Sequence, residues 1–189
     1  TFTAATVLVC VPAEQAAVLL AEAAPDLAAL AGGVQSAPCW AVMAAFDVPL
    51  PIPADTFRSD TGPISWAARN SAKPGRGGDK RGGVETWVIH ASPARSRAVI
   101  ELPKEAAAEA VLADFFAAAG IPPVAPRHRD AHRWLYALPE ARKGEGPRFD
   151  PAARIGIAGD WLHSPRVEGA WLSGRALAAM LLQEAAAVL

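Results

Sequence analysis

The stretch that decides the fold is Ile155–Trp161 (IGIAGDW), together with the segment that follows shortly after it, Arg166–Gly174 (RVEGAWLSG). The apolar residues that open the first stretch are typical of a short buried strand. Such a strand delivers Gly159 and Asp160 to its C-terminal edge, where α/β proteins bind their ligands. A helix is predicted to begin near Val167, so its first turn presents unpaired backbone N–H groups and a positive dipole end. We therefore expect a ligand site at this strand edge and helix start.

Two interpretations of this unit stay open on spacing alone. In the first, Gly159 lets the backbone approach a ligand closely, Asp160 accepts a hydrogen bond from a ligand hydroxyl, and the small residues after Glu168 leave room for a flat group. In the second, Asp160 is an ordinary turn residue before a helix, and the small residues serve packing. Trp161 fits the wall of a pocket or the core.

The start of the chain predicts a second strand of the same kind. Thr6–Val11 (TVLVCV) is a continuous apolar and β-branched run, typical of a strand buried on both faces. Pro12 and the helical segment Ala13–Leu20 follow it. A two-sided strand this close to residue 1 needs neighbours on both sides, so the chain resembles a piece of something longer. We expect this strand to lie in or beside the same sheet as Ile155–Ala158.

The remaining elements favour a mixed α/β architecture, because strands separated by long excursions with few hairpin signals do not fit a β-sandwich. A helix is predicted over Lys104–Ala119, where Gly120 and Pro122 end it. Further strands are predicted at Trp40–Phe46, Ile64–Ala68, Thr86–Ala91 and His128–Ala137.

Composition excludes several classes of protein. The chain has 189 residues, of which 52% are hydrophobic, so it can bury a core and is not globally disordered. Its 18 Lys and Arg against 19 Asp and Glu leave no basic surplus for nucleic acid. No apolar run is long enough for a membrane span. Cys10 and Cys39 are expected as buried thiols in a reducing compartment, hence the cytoplasm. Four dispersed histidines without a Cys-x-x-Cys pair predict no metal site.

The string Gly159–Gly174 resembles the C-terminal flavin-contact motif of the FAD-dependent amine-oxidase superfamily, and it is closest to the renalase-like branch. Other segments resemble that branch in the same order, so the resemblance spans essentially the whole chain. These segments are Thr6–Leu20, Ala37–Asp47, Ile64–Trp66, Lys73–Arg76, Trp87–Pro93 and Ala131–Ala137.

The sequence also departs from that family. Its members begin with a strand, a GxGxxG phosphate-binding turn and a helix, whereas the glycine-rich string Gly75–Gly83 has the wrong spacing. The resemblance therefore implies the C-terminal part of such an enzyme. It implies an α+β substrate domain with a mixed or antiparallel sheet at residues 25–150. Residues 1–24 and 151–189 would belong to a Rossmann-like FAD domain, the latter as its closing strand and helix. Without the rest of that domain, the final helix should expose an apolar face that includes Trp171 and Leu177.

The resemblance implies FAD as the cofactor and hydride transfer to it from an amine or a dihydronicotinamide-type substrate, with NAD(P)H as a candidate. Gly159 and Asp160 would face the ribityl and pyrophosphate region, and the turn from Val167 to Ala170 would lie near the pyrimidine edge of the flavin. The full set of implied cofactor-binding residues is Gly159, Asp160, Trp161, Val167, Glu168, Gly169 and Ala170. The implied partner is a missing N-terminal segment or a second chain. The alternative is a non-catalytic α/β binding module that holds no FAD by itself.

Four residues are candidates for the catalytic side of the site: His90, Trp134, Tyr136 and Asn70. His90 is either a structural histidine or a pocket residue above the flavin that hydrogen-bonds substrate. His132, Trp134 and Tyr136 share one strand face, which suits either a cavity over a flat ring or a sheet packed on a helix. Asn70, just after a strand, is a weaker pocket candidate.

Overall fold

The computed structural model describes residues 3–76, 83–140 and 145–187. The central residues 77–82 of the glycine-rich string lie outside the described residues. The strands, in chain order, are β1 (Val7–Val9), β2 (Ser36–Phe46), β3 (Thr56–Arg58), β4 (Ile64–Arg69), β5 (Glu85–Ala91), β6 (His128–Pro139), β7 (Arg148–Asp150) and β8 (Ile155–Ile157). The helices are α1 (Ala13–Leu20), α2 (Pro25–Gly32), α3 (Pro93–Ala98), α4 (Lys104–Ala119) and α5 (Val167–Ala187). The α/β class predicted from the sequence is confirmed.

The chain divides into two compact units. A terminal unit contains Thr1–Ala37 and Tyr136–Leu189, and a central unit contains Pro38–Leu135. The domain boundaries predicted from the sequence lie at 24/25 and 150/151. The difference at the first boundary has a physical cause, because Leu27 and Ala31 of α2 are buried in the same apolar cluster as α1.

The terminal unit is built on a three-stranded sheet in the order β1-β8-β7. Strands β1 and β8 are parallel, with Val7 opposite Ile155 and Val9 opposite Ile157. The expectation that the first strand and the Ile155–Ala158 strand share a sheet is therefore confirmed. All three residues of β8 are buried.

The expectation of a two-sided buried strand at Thr6–Val11 is wrong. Strand β1 covers only Val7–Val9, and the first two of its side chains, Val7 and Leu8, are 49% and 48% exposed. Cys10 is also exposed, so the expectation that both thiols are buried fails for it. The cause is that β1 has one strand neighbour among the described residues and lies at the edge of its sheet.

The central unit is built on a five-stranded sheet in the order β3-β4-β5-β2-β6. The pairs β3/β4, β4/β5 and β5/β2 are antiparallel. Burial alternates along β5, with Trp87 and Ile89 in the core and His90 on the other face, as its sequence pattern predicts. Helix α4 covers the core face through Val111 and Phe115.

Helix α5 begins at Val167, as predicted. Its apolar residues divide between surface and core: Trp171 is exposed, with the Arg175 guanidinium over its ring, but Leu177 is buried. The expected exposure is therefore right for the first of these side chains and wrong for the second. None of the helices within the described ranges is long and apolar enough to cross a membrane.

Candidate functional site

A cleft of about 160 Å³ opens in the terminal unit, beyond the C-terminal ends of the parallel strands β1 and β8. The starts of helices α1 and α5 also reach it, through Ala13 and Ala170. The cleft is lined by Cys10, Val11, Pro12, Ala13, Ser36, Tyr136, Pro139, Gly159, Asp160, Trp161 and Ala170. The strand ends and helix starts that the sequence singled out therefore come together at one place.

Two hydrogen bonds hold the turn after β8 in position. The Gly159 N–H donates to the hydroxyl of Ser173, which is fully buried in α5, at 3.1 Å. The Trp161 Nε1–H donates to the backbone carbonyl of Val11 at 3.2 Å, which ties the turn to the end of β1. Because these bonds tie the turn to α5 and to the end of β1, they fix the walls of the cleft relative to each other.

Gly159 is required by its contact with Trp161. A Cβ at this position would lie 2.5 Å from Nε1 and 2.6 Å from Cδ1 of that indole, far inside van der Waals contact. The indole is 1% exposed, so it has little room to move. The lack of a side chain at Gly159 therefore makes space for the indole of Trp161, independently of any ligand.

Asp160 begins a short 3-10 turn, Asp160–Leu162, at the mouth of the cleft. Burial raises the pKa of its carboxyl group, and hydrogen bonds from the backbone amides of Trp161 and of Asp160 itself partly oppose that shift. Among the residues described, none of the ion pairs includes this carboxylate. A partly desolvated acceptor of this kind gains from a ligand that donates hydrogen bonds.

The start of α5 places only backbone and small side chains toward the cleft. Val167 and Glu168 point to solvent and do not line it, whereas Ala170 does. Gly169 is buried, and a Cβ there would collide with the backbone carbonyl of Ser164. The glycine thus lets the preceding loop pass close against the first turn of the helix.

Six lining residues were not among the site candidates from the sequence: Cys10, Val11, Pro12, Ala13, Ser36 and Pro139. Ser36 is held by Glu14 in the first turn of α1, whose carboxylate accepts the Ser36 N–H at 2.6 Å and the Ser36 hydroxyl at 3.2 Å. The two residues are 22 positions apart and carry no motif, so sequence gave no signal for this contact. Pro12 marks the strand-to-helix turn and could have been inferred from it.

The catalytic candidates are divided between the two units. Tyr136 belongs to the terminal unit and lines its cleft. His90 and Trp134 lie on strands β5 and β6 of the central unit, and Asn70 follows β4 there. The structure thus brings Tyr136 together with the cofactor-binding candidates Gly159, Asp160, Trp161 and Ala170.

Within the central unit, His90 is half-buried and its ring packs against that of Trp66, with centroids 4.9 Å apart. Burial lowers the pKa of the His90 imidazole, which favours its neutral form. Trp134 is exposed, and its ring packs against that of His132, with centroids 4.3 Å apart. The Asn70 Oδ1 accepts a hydrogen bond from Arg76 at 2.8 Å. These contacts leave both interpretations of His90 open.

No cluster of three or more His, Cys, Asp or Glu side chains suited to a metal ion occurs in the part of the chain that the structure describes.

Comparison with known proteins identifies the fold. No protein-family model matches the chain. Among solved structures, one similar to it is a protein assigned as a protoporphyrinogen oxidase from Exiguobacterium sp. 255-15, with a TM-score of 0.66 and 18% identity over 95% of this chain. A triple mutant of putrescine oxidase made to redesign cofactor binding matches with a TM-score of 0.58 and 14% identity. Wild-type putrescine oxidase bound to putrescine matches with a TM-score of 0.55 and 15% identity. The chain covers 95% of its own length in each match but only 42% or 43% of these proteins. At these identities, the similarity shows a shared α/β fold.

Proposed function

We propose that this chain is the C-terminal portion of an FAD-dependent oxidoreductase of the amine-oxidase superfamily, in its renalase-like branch. The enzyme would oxidise an amine or a dihydronicotinamide-type substrate such as NAD(P)H by hydride transfer to the flavin. The observation that carries the proposal is the cleft that joins Gly159, Asp160, Trp161 and Ala170 at the ends of two parallel strands. The fold that the chain shares with two kinds of oxidase supports it.

The chemistry of the residues at the cleft suits part of an FAD molecule. FAD carries a chain of hydroxyl groups and a pyrophosphate, and Asp160 offers a partly buried carboxylate that has no ion-pair partner among the described residues. The start of α5, from Val167 through Gly169 to Ala170, offers backbone amides and a positive dipole end, which suit the electron-rich edge of a reduced flavin. When bound, FAD supplies the hydride acceptor.

The chain's own residues then take distinct parts in binding. Asp160 would accept a hydrogen bond from a ribityl hydroxyl, and Trp161 would form a wall, since its bond to the Val11 carbonyl fixes the position of the indole. Glu168 contributes through its backbone, because its side chain points away from the cleft.

The proposed catalytic set is His90, Trp134, Tyr136 and Asn70, as polar and aromatic groups that orient substrate. His90 would act as a neutral hydrogen-bonding group near pH 7, because burial lowers its pKa.

The proposal includes a further polypeptide, either an N-terminal segment of the same protein or a partner chain, that carries the GxGxxG turn. The edge of β1 supports it, because this strand has one strand neighbour among the described residues and the apolar side chains of Val7 and Leu8 are half-exposed. The cytoplasm is the proposed location, since neither Cys10 nor Cys39 forms a disulfide.

FAD titration of the chain and of two variants, each joined to the polypeptide that carries the GxGxxG turn, tests the proposal. We expect Asp160→Ala to lose a charge-assisted hydrogen bond of about 1.5–3 kcal/mol, which weakens FAD binding roughly ten- to hundred-fold. Glu168→Ala is the matched control, with nearly unchanged affinity. Equal affinity of Asp160→Ala and the parent would remove the site assignment. A complete assembly that binds no FAD and shows no flavin absorption would support the alternative, a binding module without its own cofactor.

A further inference from the structure

Strand β6 ends the five-stranded sheet, and its outer edge has no strand neighbour among the described residues. It is the longest strand of the sheet, with twelve residues from His128 to Pro139. Trp134, Leu135, Tyr136 and Leu138 are between 39% and 55% exposed. Because neighbouring residues of a strand point to opposite faces, the exposure of Trp134, Leu135 and Tyr136 leaves both faces of this part of β6 uncovered.

The strand at the opposite edge of the same sheet has features that protect an edge from pairing with another strand. Strand β3 has only three residues, Thr56, Phe57 and Arg58. The threonine and the arginine are exposed, and the phenylalanine packs against the core. A short edge strand with a charged residue is a common protection against strand pairing. The apolar half of β6, residues 134–138, has none of these protections and no Pro, Lys or Arg.

We propose that the apolar half of β6 pairs with the same segment of a second copy of this chain, in antiparallel register about Tyr136. This register sets Trp134 of each copy opposite Leu138 of the other, and Leu135 opposite Ala137. Every facing pair is then apolar or aromatic, the kind of cross-strand pair that stabilises a sheet. The segment is therefore complementary to itself, as an interface with two-fold symmetry requires.

The charges on β6 agree with this register. Its basic residues Arg129 and Arg133 lie in the N-terminal half of the strand, and Arg129 is paired with Glu109 of α4. Pairing about Tyr136 sets Arg133 opposite Pro139 of the other copy and leaves Arg129 beyond the paired segment. Pairing centred further toward the N-terminus would bring these arginines of the two copies together, which costs energy. The charges thus favour the C-terminal half as the interface.

Sedimentation velocity of the whole chain over a micromolar concentration series tests the proposal. We expect a monomer–dimer equilibrium, with concentration-dependent protection of β6 amides in hydrogen exchange. The double variant Leu135→Glu with Leu138→Glu should weaken the dimer about tenfold or more, since each dimer contains both affected pairs twice. Val18→Glu is the matched control, because Val18 is an equally apolar and more exposed residue on α1. It should leave the dimer unchanged.

A cysteine scan in a Cys10→Ser background tests the register. Tyr136→Cys should form a disulfide between copies, because the two positions face each other at about 4.5–5.5 Å between Cβ atoms. His128→Cys should not, because two such positions lie sixteen residues, or roughly 54 Å, apart along the strands. A monomer at all concentrations would overturn the proposal. So would a dimer weakened equally by Val18→Glu, or one that forms the disulfide at His128→Cys.

Discussion

Replacement of Gly159 by alanine should destabilise the protein, because the new Cβ would meet the indole of Trp161 at 2.5 Å. Carbon atoms in contact prefer a separation of about 3.5–4.0 Å, so the indole or the turn must move by roughly 1 Å. Trp161 is 1% exposed, and its Nε1–H bond to the Val11 carbonyl is lost if the ring swings away. Overpacking of this kind costs about 1–3 kcal/mol. For a chain of this size that is a fall in Tm of roughly 2–12 °C.

Gly174→Ala is the matched control. No heavy atom lies within 4 Å of a Cβ built at Gly174 in α5, so alanine fits there without displacement. Because glycine disfavours a helix interior, this substitution should stabilise the protein by about 0.5–1 kcal/mol. Thermal and urea unfolding followed by circular dichroism compare the two variants with the parent chain. A Gly159→Ala protein as stable as the parent, or a Gly174→Ala protein that falls equally, would refute the packing argument.

The other predictions concern titration and reactivity. Because burial raises the pKa of Asp160, the unfolded chain loses this proton first as pH rises, so the charged carboxylate lowers stability above the ordinary aspartate range near 4. Asp160→Asn should therefore raise Tm at pH 7, with a gain that shrinks toward pH 4; an equal gain at both pH values would contradict this. Burial lowers the pKa of His90, so the unfolded state takes up the proton first as pH falls through about 6.5. His90→Gln should accordingly lose less stability than the parent between pH 7 and pH 5, and parallel pH profiles would exclude the effect. Burial raises the pKa of Cys39 to about 11, whereas Cys10 is exposed, so mass spectrometry should find iodoacetamide on Cys10 well before Cys39 at pH 8. Equal labelling rates would show that Cys39 is more accessible than its burial implies.

The bounds of helices with strong end signals could be predicted to the exact residue from the sequence. Helix α4 ends where Gly120 adopts a left-handed conformation at φ +67°, with its N–H bonded to the carbonyls of Phe116 and Ala117. Helix α1 begins directly after Pro12. Strands β3 and β7 were missed, because three residues carry no periodicity and each strand exists only through its pairing with β4 or β8.

The candidate site could be predicted only in part, for a related reason. The Gly159–Asp160 turn and the Val167 helix start form one compact motif near β8, so the sequence could place them together. The hydrogen bonds from Ser36 to the Glu14 carboxylate depend on how α1 and β2 pack. No local sequence pattern predicts that packing. The exposure of Val7 depends on which strands lie beside β1. A hydrophobic run predicts a strand but not the neighbours of that strand.

The parallel pair β1/β8 also sets the order in which the chain can fold during synthesis. Val7 and Ile155 are partners 148 positions apart, so the first strand leaves the ribosome long before the strand it pairs with has been made. The central unit is continuous from Pro38 to Leu135 and can form its own sheet in that interval. Strand β1 stays unpaired during that interval, with its apolar residues in water. Closing so long a loop makes the pairing slow. Chaperone dependence during translation should therefore centre on residues 3–37, even though these residues emerge before the central unit.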